Sequence, residues 1–470
     1  MTELRRQQPL ALILLGAALV AAAWPLTAMK LSPMLLPVLL VGGLAVSIAI
    51  ARPALGIAIA LALAPLIDST IGFGGATGQL AQPLQIILPG LIVSVAFVTA
   101  LSRGAHAENI PMLLSLTPLV FLGLALASSM QAIQPSQSIN SIVILLTAIL
   151  VFYSVLRLGA AEEDRITILA GALAGLALAG AQGLLQKLLG LAGPYGVTVG
   201  GHDVLRVQGS FDHPNGYSVY LIALIPLAIA VAMTKTAPLW LRRLAASGAV
   251  LGVMGVAFSY SRGAIIGLVV GALAWVFLLR PGRVTLLAVG LGIVALLAAP
   301  ASLKARFDPT TARDDAGLRE GLWQAAYDIG SREPILGVGP NNFSVAYERL
   351  VNRRGDAAER PLLDQGAGFV LPSSAHNMYL NTLAEQGLLG LFGLALLGLA
   401  SIPMLYAGRL VRDPLGRAIC GGVGAGAAAW AVRGMFDAGL YGDVIIPGAA
   451  LIALAAIIVG ADRADRARRA

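Results

Sequence analysis

The chain has 470 residues, of which 57% are hydrophobic and only 12% are charged, and its formal net charge is +8. Soluble domains carry about 25% charged residues, so this composition excludes a soluble globular protein. The basic residues lie between apolar runs, where they report membrane topology and not nucleic-acid binding. The single cysteine, Cys420, excludes an intramolecular disulfide, and no cysteine-based zinc spacing is present.

Apolar runs of about 18 or more residues recur along the chain, and each predicts a membrane-spanning helix. The sequence therefore predicts an all-α polytopic membrane protein with about 12–14 transmembrane helices. The fourteen runs lie at about 9–28, 33–51, 53–68, 84–101, 111–129, 139–157, 166–188, 215–233, 244–260, 263–279, 284–301, 377–406, 416–434 and 443–460. Arg5 and Arg6 resemble the start of a signal peptide, but no small-residue cleavage site clearly follows, so we interpret 9–28 as a retained span.

The positions of Lys and Arg predict the orientation of these helices. With both termini in the cytoplasm, 18 of the 32 lie at cytoplasmic ends, and nine lie in the polar segment 302–376, which is long enough to escape the positive-inside rule. Short outer segments contain the other five, Lys30, Lys187, Arg206, Arg262 and Arg433. We therefore predict one membrane domain over 1–470, with an extracytoplasmic loop inserted at 302–376.

Three outer segments are large. Segment 68–83 is glycine-rich and is interpreted as a region that re-enters the membrane, and 189–214 is a second glycine-rich segment. Within the loop, apolar residues at helical spacing predict a helix over 316–329 that ends at Glu333-Pro334. A turn at 337–340 and a second helix over 342–351 follow.

Two outer arginines run against the topological bias, and a charge near hydrocarbon is costly unless it is paired or used. Arg262 lies in Ser259-Tyr260-Ser261-Arg262-Gly263-Ala264. Such an arginine either extends to the membrane surface or offers its fork of donors to a phosphate group. Arg206 lies just before the span 215–233, too far from the helix start to act as a cap.

Two outer histidines stand at the starts of spans. His213 precedes Pro214, a residue favoured in a first helical turn, and His376 precedes the span 377–406. Each is interpreted either as a helix start or as a reactive group, since a histidine can take a proton near neutral pH.

Four further polar residues are predicted to support a site. Asn377, Asn381 and Glu385 are spaced four residues apart and share one helix face. Glu385 is ionisable and lies inside a span, where such a residue is expected to be paired or functional. Arg319, on the predicted loop helix, is the fourth candidate.

Several catalytic motifs are absent from the sequence. We find no DxD, GxSxG, HExxH or Walker A motif. Their joint absence disfavours a nucleotide-sugar enzyme, a serine hydrolase, a zinc protease and an ATPase. No metal site and no cofactor is predicted.

The ordered motifs carry a family resemblance. Ser259–Ala264, then Gly337-Val338-Gly339-Pro340-Asn341-Asn342-Phe343, then His376–Leu380 continuing through Glu385–Gly390, resemble the O-antigen ligase and polysaccharide polymerase family. The large outer loop between them matches too, and the resemblance covers about 200–406. It implies transfer of a glycan from an undecaprenyl diphosphate carrier to a sugar hydroxyl at the periplasmic face of the bacterial inner membrane, without a metal or cofactor.

The same resemblance implies roles for individual residues. Arg206 and Arg262 would bind the diphosphate, as suits a charged leaving group, and His376 would be the general base that activates the acceptor hydroxyl. Direct attack would invert the anomeric centre. The expected partners are the lipid-linked donor, a glycan or lipid A core acceptor and the lipid bilayer, with no nucleic acid.

Two alternatives stay open at this stage. Fourteen spans exceed the twelve associated with the ligases, and Asp212-His213-Pro214-Asn215 looks more like the polymerases, whose acceptor is a carrier-linked repeat unit instead of lipid A core. A transporter or flippase for lipid-linked glycans is the second alternative. Glu385 fits it, but inverted repeats and polar groups at the membrane midplane would be expected, and the unusual polar residues gather on one side.

Overall fold

The computed structural model describes residues 35–67, 78–102, 110–191, 196–199, 202–211, 213–279, 309–354, 363–364, 369–370, 372–438 and 444–469. Most of these residues are helical. The described helices are α1 Leu35–Ala51, α2 Pro53–Ile67, α3 Gly78–Ser102, α4 Met112–Ser129, α5 Pro135–Leu158, α6 Glu162–Leu189, α7 Pro214–Met233, α8 Leu239–Ser259, α9 Arg262–Leu279, α10 Pro309–Arg332, α11 Phe343–Arg354, α12 Met378–Gly408, α13 Pro414–Arg433 and α14 Ile445–Arg469. Two short antiparallel hairpins join β1 Gly196–Val199 to β2 His202–Leu205 and β3 Leu363–Asp364 to β4 Phe369–Val370.

The helices confirm a multi-pass helical membrane protein. Eight described helices (α4 to α8 and α12 to α14) are long and apolar enough to cross a membrane. Four shorter apolar helical stretches lie in α1, α2, α3 and α9. The predicted spans 9–28 and 284–301 fall outside the described residues, as does most of the proposed re-entrant segment 68–83.

Small residues allow the central helices to approach closely. A Cβ atom added at Gly426 of α13 would lie 2.0 Å from the carbonyl oxygen of Ala223 in α7, and one at Gly171 of α6 would lie 2.4 Å from that of Ala58 in α2. Where α12 ends, Gly408 packs against Cys420 of α13, which is completely buried. Backbone contact of this kind is typical of helix association in membranes.

The loop forms a small apolar core of its own. Leu322, Ala326 and Ile329 of α10 pack with Phe343 and Tyr347 of α11. Both predicted loop helices are present, and both extend beyond their predicted ends. Gly330 of α10 abuts Leu383 of α12, so the loop core rests on the first turns of α12.

A sharp interruption of α12 holds the loop in place. Gly387 has φ 64° and ψ −160°, which breaks the helix, and segment 334–343 inserts at the break. The backbone N–H of Leu388 donates to Pro334 O, and those of Val338 and Gly339 donate to Ala384 O and Glu385 O. We call the contact between 334–343, 384–389 and the α4–α5 connection 128–138 the loop joint.

The α4–α5 connection closes the loop joint from the other side. Ser128 Oγ donates to the carbonyl oxygens of Leu336 and Glu385, and Asn342, fully buried, accepts from the backbone N–H of Gln134 at 2.6 Å. Gly337 has φ +66°, and a Cβ there would lie 2.3 Å from the carbonyl carbon of Glu385. Glycine is required here for both reasons.

Candidate functional site

Five side chains beside the end of the loop form a continuous hydrogen-bonded chain. Arg206 contacts Asn215, Asn215 contacts Arg433 through its backbone oxygen, Arg433 pairs with Asp437, and Asp437 pairs with His376. We call these five residues the charged cluster. They come from the segment after β2 and the adjoining ends of α7, α12 and α13, so only the folded chain brings them together.

Backbone contacts fix the start of α12 on the end of α13. The N–H of Met378 donates to Gly434 O at 2.7 Å, and the side-chain amide of Asn377 donates to Met435 O at 3.2 Å. Asn377 also caps α12, because its Oδ1 accepts from the N–H groups of Tyr379 and Leu380. His376 is therefore held within reach of the residues that follow α13.

His376 adopts a backbone conformation that is unusual for its residue type. Its φ is +48°, in the left-handed region that costs a non-glycine residue about 1–2 kcal/mol. This turn directs the imidazole to Asp437, whose Oδ1 lies 3.0 Å from His376 Nδ1. The histidine side chain is 20% exposed. Because Asp437 engages Nδ1, Nε2 is the ring atom suited to exchange a proton with a substrate.

Asp437 is anchored through its second oxygen. Arg433 Nη2 lies 2.6 Å from Oδ2, and Arg433 is only 2% exposed. Burial by itself would raise the pKa of Asp437, but Arg433 and then His376 hold that pKa well below its ordinary value. Asp437 is thus a carboxylate at neutral pH, oriented by one cation and one imidazole.

Arg206 is held by backbone and side-chain acceptors. Its Nε donates to Ser259 O at 2.7 Å and its Nη2 to Asn215 Oδ1 at 2.9 Å. The neighbouring N–H of Val207 donates to Phe258 O. These bonds attach the segment after β2 to the end of α8, immediately before the motif that contains Arg262.

Arg262 begins α9 between two residues that contact the charged cluster. Ser261 Oγ donates to Asn215 Oδ1 at 3.4 Å, and a Cβ at Gly263 would lie 3.1 Å from Arg433 Cδ. Tyr260 ends α8 with φ +51°, which allows the chain to reverse there. The start of α9 therefore lies beside the charged cluster, with the positive end of the helix dipole added to its arginines.

His213 caps α7 and faces the same charges. Its Nδ1 accepts from the N–H of Asn215 at 3.0 Å. Burial lowers the pKa of His213 to about 4. Asp437 opposes that shift, whereas Arg206, His376 and Arg433 add to it. His213 is neutral at pH 7, as its capping role requires.

The other predicted supporting residues lie along α12 and the loop. Asn381 Oδ1 accepts from the N–H of Ala375 at 3.0 Å, which shapes the turn that contains His376. Glu385 is buried in the loop joint, where its Oε1 accepts from the N–H of Phe343 at 3.2 Å. Arg319 is partly buried on α10. Their functional roles stay predictions.

Three members of the charged cluster, Asn215, Arg433 and Asp437, are not among the site residues predicted from the sequence. Arg433 was noted only as an outer cation, and Asp437 was not noted at all. A signal was present, since a carboxylate follows an outer arginine by four residues, a spacing that brings the two together at a helix end. In the part of the chain that the structure describes, no three His, Cys, Asp or Glu side chains gather so that they could hold a metal ion.

The arrangement combines a proton acceptor with an anion-binding surface. His376 is partly exposed and oriented by a carboxylate, as a general base requires. Three arginines lie in or beside the charged cluster against one carboxylate, so the balance favours an anionic ligand. Three helices, α7, α9 and α12, also begin here, and their N-termini favour negative charge.

Comparison with known proteins supplies a family. Residues 247–395 match the family described as O-antigen ligase. The match includes Arg262, His376 and the loop-joint segments 334–343 and 384–389, and it ends before Arg433 and Asp437. No curated protein sequence matches the chain significantly.

Proposed function

We propose that this membrane protein, whose residues 247–395 match the O-antigen ligase family, transfers a glycan from an undecaprenyl diphosphate carrier to a sugar hydroxyl. The reaction would take place at the periplasmic face of the bacterial inner membrane, with both termini in the cytoplasm. The observation that carries the proposal is the continuous link from His376 through Asp437, Arg433 and Asn215 to Arg206. This link supports the proposal because it connects His376, the proposed base, to Arg206, a proposed phosphate ligand.

In the proposed reaction His376 Nε2 removes the proton of the acceptor hydroxyl. The acceptor oxygen attacks the anomeric carbon, and the bond from that carbon to the diphosphate oxygen breaks. The electron pair of that bond leaves on the diphosphate, so the products are the extended glycan and undecaprenyl diphosphate. Direct attack of this kind inverts the anomeric centre.

The surrounding residues stabilise the charges that this step creates. Asp437 accepts from Nδ1–H of His376 and stabilises the imidazolium once the proton has moved to Nε2. Arg206 and Arg262 stabilise the departing diphosphate. Because the diphosphate is itself the leaving group and is met by arginines, we propose that the transfer needs neither metal nor cofactor.

Two acceptors fit this chemistry. Lipid A core would make the protein an O-antigen ligase, and a carrier-linked repeat unit would make it a polymerase. The gathering of polar residues at one end of the helix bundle supports a transferase over a transporter of lipid-linked glycans, which would need polar groups along its path through the membrane.

The test is transfer in vitro from a synthetic undecaprenyl-diphosphate glycan, with both acceptors offered and a chelator present in parallel. We expect His376→Ala to lose about 10²–10⁴-fold in rate and Arg262→Ala to lose about 10²–10³-fold. Arg349→Ala, at an exposed loop position, is the matched arginine control and should retain full rate.

The outcomes separate the parts of the proposal. The acceptor that is consumed distinguishes a ligase from a polymerase. Full activity of a correctly folded His376→Ala protein would eliminate the general-base assignment. A transporter would be favoured if the wild type transferred glycan to neither acceptor but moved the lipid-linked glycan across the membrane of liposomes. Loss of transfer with chelator would contradict the metal-free reaction.

A further inference from the structure

We propose that Arg433 is a positioning residue of this site: it fixes Asp437 against His376 and joins that pair, through Asn215, to the arginine that binds the leaving group. The inference rests on the proposed function for its catalytic meaning. Its geometric part concerns only residues that the structure places in contact.

Both carboxylate oxygens of Asp437 have a partner. Oδ1 faces His376 Nδ1 at 3.0 Å and Oδ2 faces Arg433 Nη2 at 2.6 Å. A carboxylate held at one oxygen only can rotate about its last bond. With both oxygens engaged, its plane is fixed, and so is the direction of the imidazole.

The Arg433 guanidinium also contacts the start of α7. Arg433 Nη2 also lies 3.4 Å from the backbone oxygen of Asn215, whose side chain accepts from Arg206 at 2.9 Å. Arg433 thus joins the start of α7 to the segment after α13. Both contacts are made by the one nitrogen Nη2, which stands at the end of a longer side chain than that of lysine.

The Arg433 side chain is buried and packs closely against Gly263. Arg433 is 2% exposed, and a Cβ on Gly263 would lie 3.1 Å from its Cδ and 3.4 Å from its Nε. The residue after Arg262 therefore limits where the Arg433 stem can lie. Movement of Arg433 would disturb the base and the start of α9 together.

Arg433 and Asp437 form an ion pair in which their charges balance. A buried arginine is costly unless it is paired, and Asp437 is its partner. His376, before α12, contacts Asp437, and His213, before α7, interacts electrostatically with both members of the pair. Arg206, after β2, is joined to Arg433 through Asn215, and Arg262 precedes the glycine that packs against Arg433. Arg433 therefore balances the charge of the carboxylate that orients His376.

The charge balance predicts the direction of change in variants. Removing the positive charge of Arg433 makes proton uptake on the neighbouring imidazole easier, so His376 would lose its proton at a higher pH. Removing the negative charge of Asp437 has the opposite effect. Arg433→Lys keeps the charge but shortens the side chain that reaches Asp437 and Asn215, so it should lower the rate without moving the pH profile.

The experiment uses the full-length protein with Arg433→Gln, Arg433→Lys and Asp437→Asn. Two quantities are measured against pH: the transfer rate, and the modification of His376 by diethylpyrocarbonate, followed by peptide mass spectrometry. The second needs no donor or acceptor, and the His213 peptide is read separately in the same spectra.

For Arg433→Gln, the pH midpoints of the transfer rate and of His376 modification should both rise by about one pH unit. For Asp437→Asn, the pH midpoint of His376 modification should fall by a similar amount. Arg433→Lys should keep the wild-type midpoints and lose about tenfold in rate, as expected for a lost hydrogen bond between charged groups.

Equal rate losses in Arg433→Gln and Arg433→Lys with unmoved midpoints would reduce Arg433 to a structural residue and overturn the proposal. If Arg433→Gln does not fold, the Arg433→Lys rate decides alone, and full activity overturns the proposal. Absence of transfer by the wild type, with the modification shifts intact, would refute the proposed function and leave the Arg433 assignment standing.

Discussion

The charged cluster and the loop joint are both polar, both largely buried and about two to three helical turns apart along α12, yet they are built differently. The loop joint is closed mainly by backbone groups, such as the N–H of Gly339 donating to Glu385 O. The charged cluster is made mainly of side chains that carry charge.

This difference separates two uses of buried polarity. Groups that are satisfied by backbone partners specify one geometry and have little capacity left for a ligand. Charged side chains held against each other keep a net field and can respond when a substrate brings charge. Variants in each region can show whether the loop joint acts on stability and the charged cluster on transfer, independently of each other.

Breaking the loop joint should give the largest effect, and it should fall on stability. Gly337→Val places a β-branched side chain at φ +66°, with its Cβ 2.3 Å from the Glu385 carbonyl carbon. We expect the free energy of unfolding to fall by about 3 kcal/mol or more. Thermal unfolding in detergent, followed by tryptophan fluorescence, measures it.

A second glycine in the same loop is the control for this change. A Cβ at Gly321 of α10 meets no atom within 4 Å, so Gly321→Ala should stabilise the helix by about 0.5–1 kcal/mol. An unchanged melting temperature in Gly337→Val would contradict the geometry of the loop joint. A shifted pH profile of transfer at unchanged stability would show that the two regions act as one.

His213, beside the charged cluster, should give a smaller effect that depends on pH. His213 has a pKa of about 4 in the folded protein and of about 6.5 when unfolded. Below pH 6.5 the unfolded chain takes up a proton that the folded protein does not, so stability falls as the pH drops from about 6.5 to about 4 and the loss levels off below that. We expect roughly 2 kcal/mol, allowing for solvent screening.

His213→Asn isolates this contribution. Asparagine keeps an acceptor for the N–H of Asn215 and is a favoured N-cap, but it does not titrate. The melting temperature of the variant should therefore decline less than that of the wild type between pH 6.5 and pH 4. Parallel curves for the two proteins would contradict the assigned titration of His213.

The smallest effect is expected for Glu385→Gln, and this variant tests whether Glu385 belongs to the loop joint or to the catalytic site. Glu385→Gln keeps an oxygen for the N–H of Phe343, so stability should fall by about 1 kcal/mol or less with an unchanged transfer rate. Glu385→Ala leaves that N–H unpaired and should cost about 1–3 kcal/mol. A stable Glu385→Gln protein without transfer activity would assign Glu385 to the catalytic site.

Much of the fold was predictable because long apolar runs dictate helices. The run at 53–68 corresponds to Pro53–Ile67 and the run at 215–233 to Pro214–Met233. The break at Gly387 is not predicted from the sequence, since it depends on segment 334–343 inserting beside α12. No local pattern contains that contact.

The site was predictable in part for a related reason. Arg206, Arg262 and His376 stand out because membrane topology makes outer charge unusual. Asp437 carries no such signal, since its importance comes from Arg433 one turn earlier and from His376 sixty-one residues earlier in the chain. The pairing depends on how α12 packs against α13, which sequence periodicity does not report.

The burial of Cys420 has a practical consequence for labelling. It is the chain's single cysteine, and it is fully buried on α13 between Gly408 of α12 and Ala455 of α14. A membrane-impermeant thiol reagent should therefore leave the native protein unmodified. New cysteines at exposed positions, such as Glu320 in the loop or Arg243 in α8, can be read one at a time in intact cells, without first removing any native thiol.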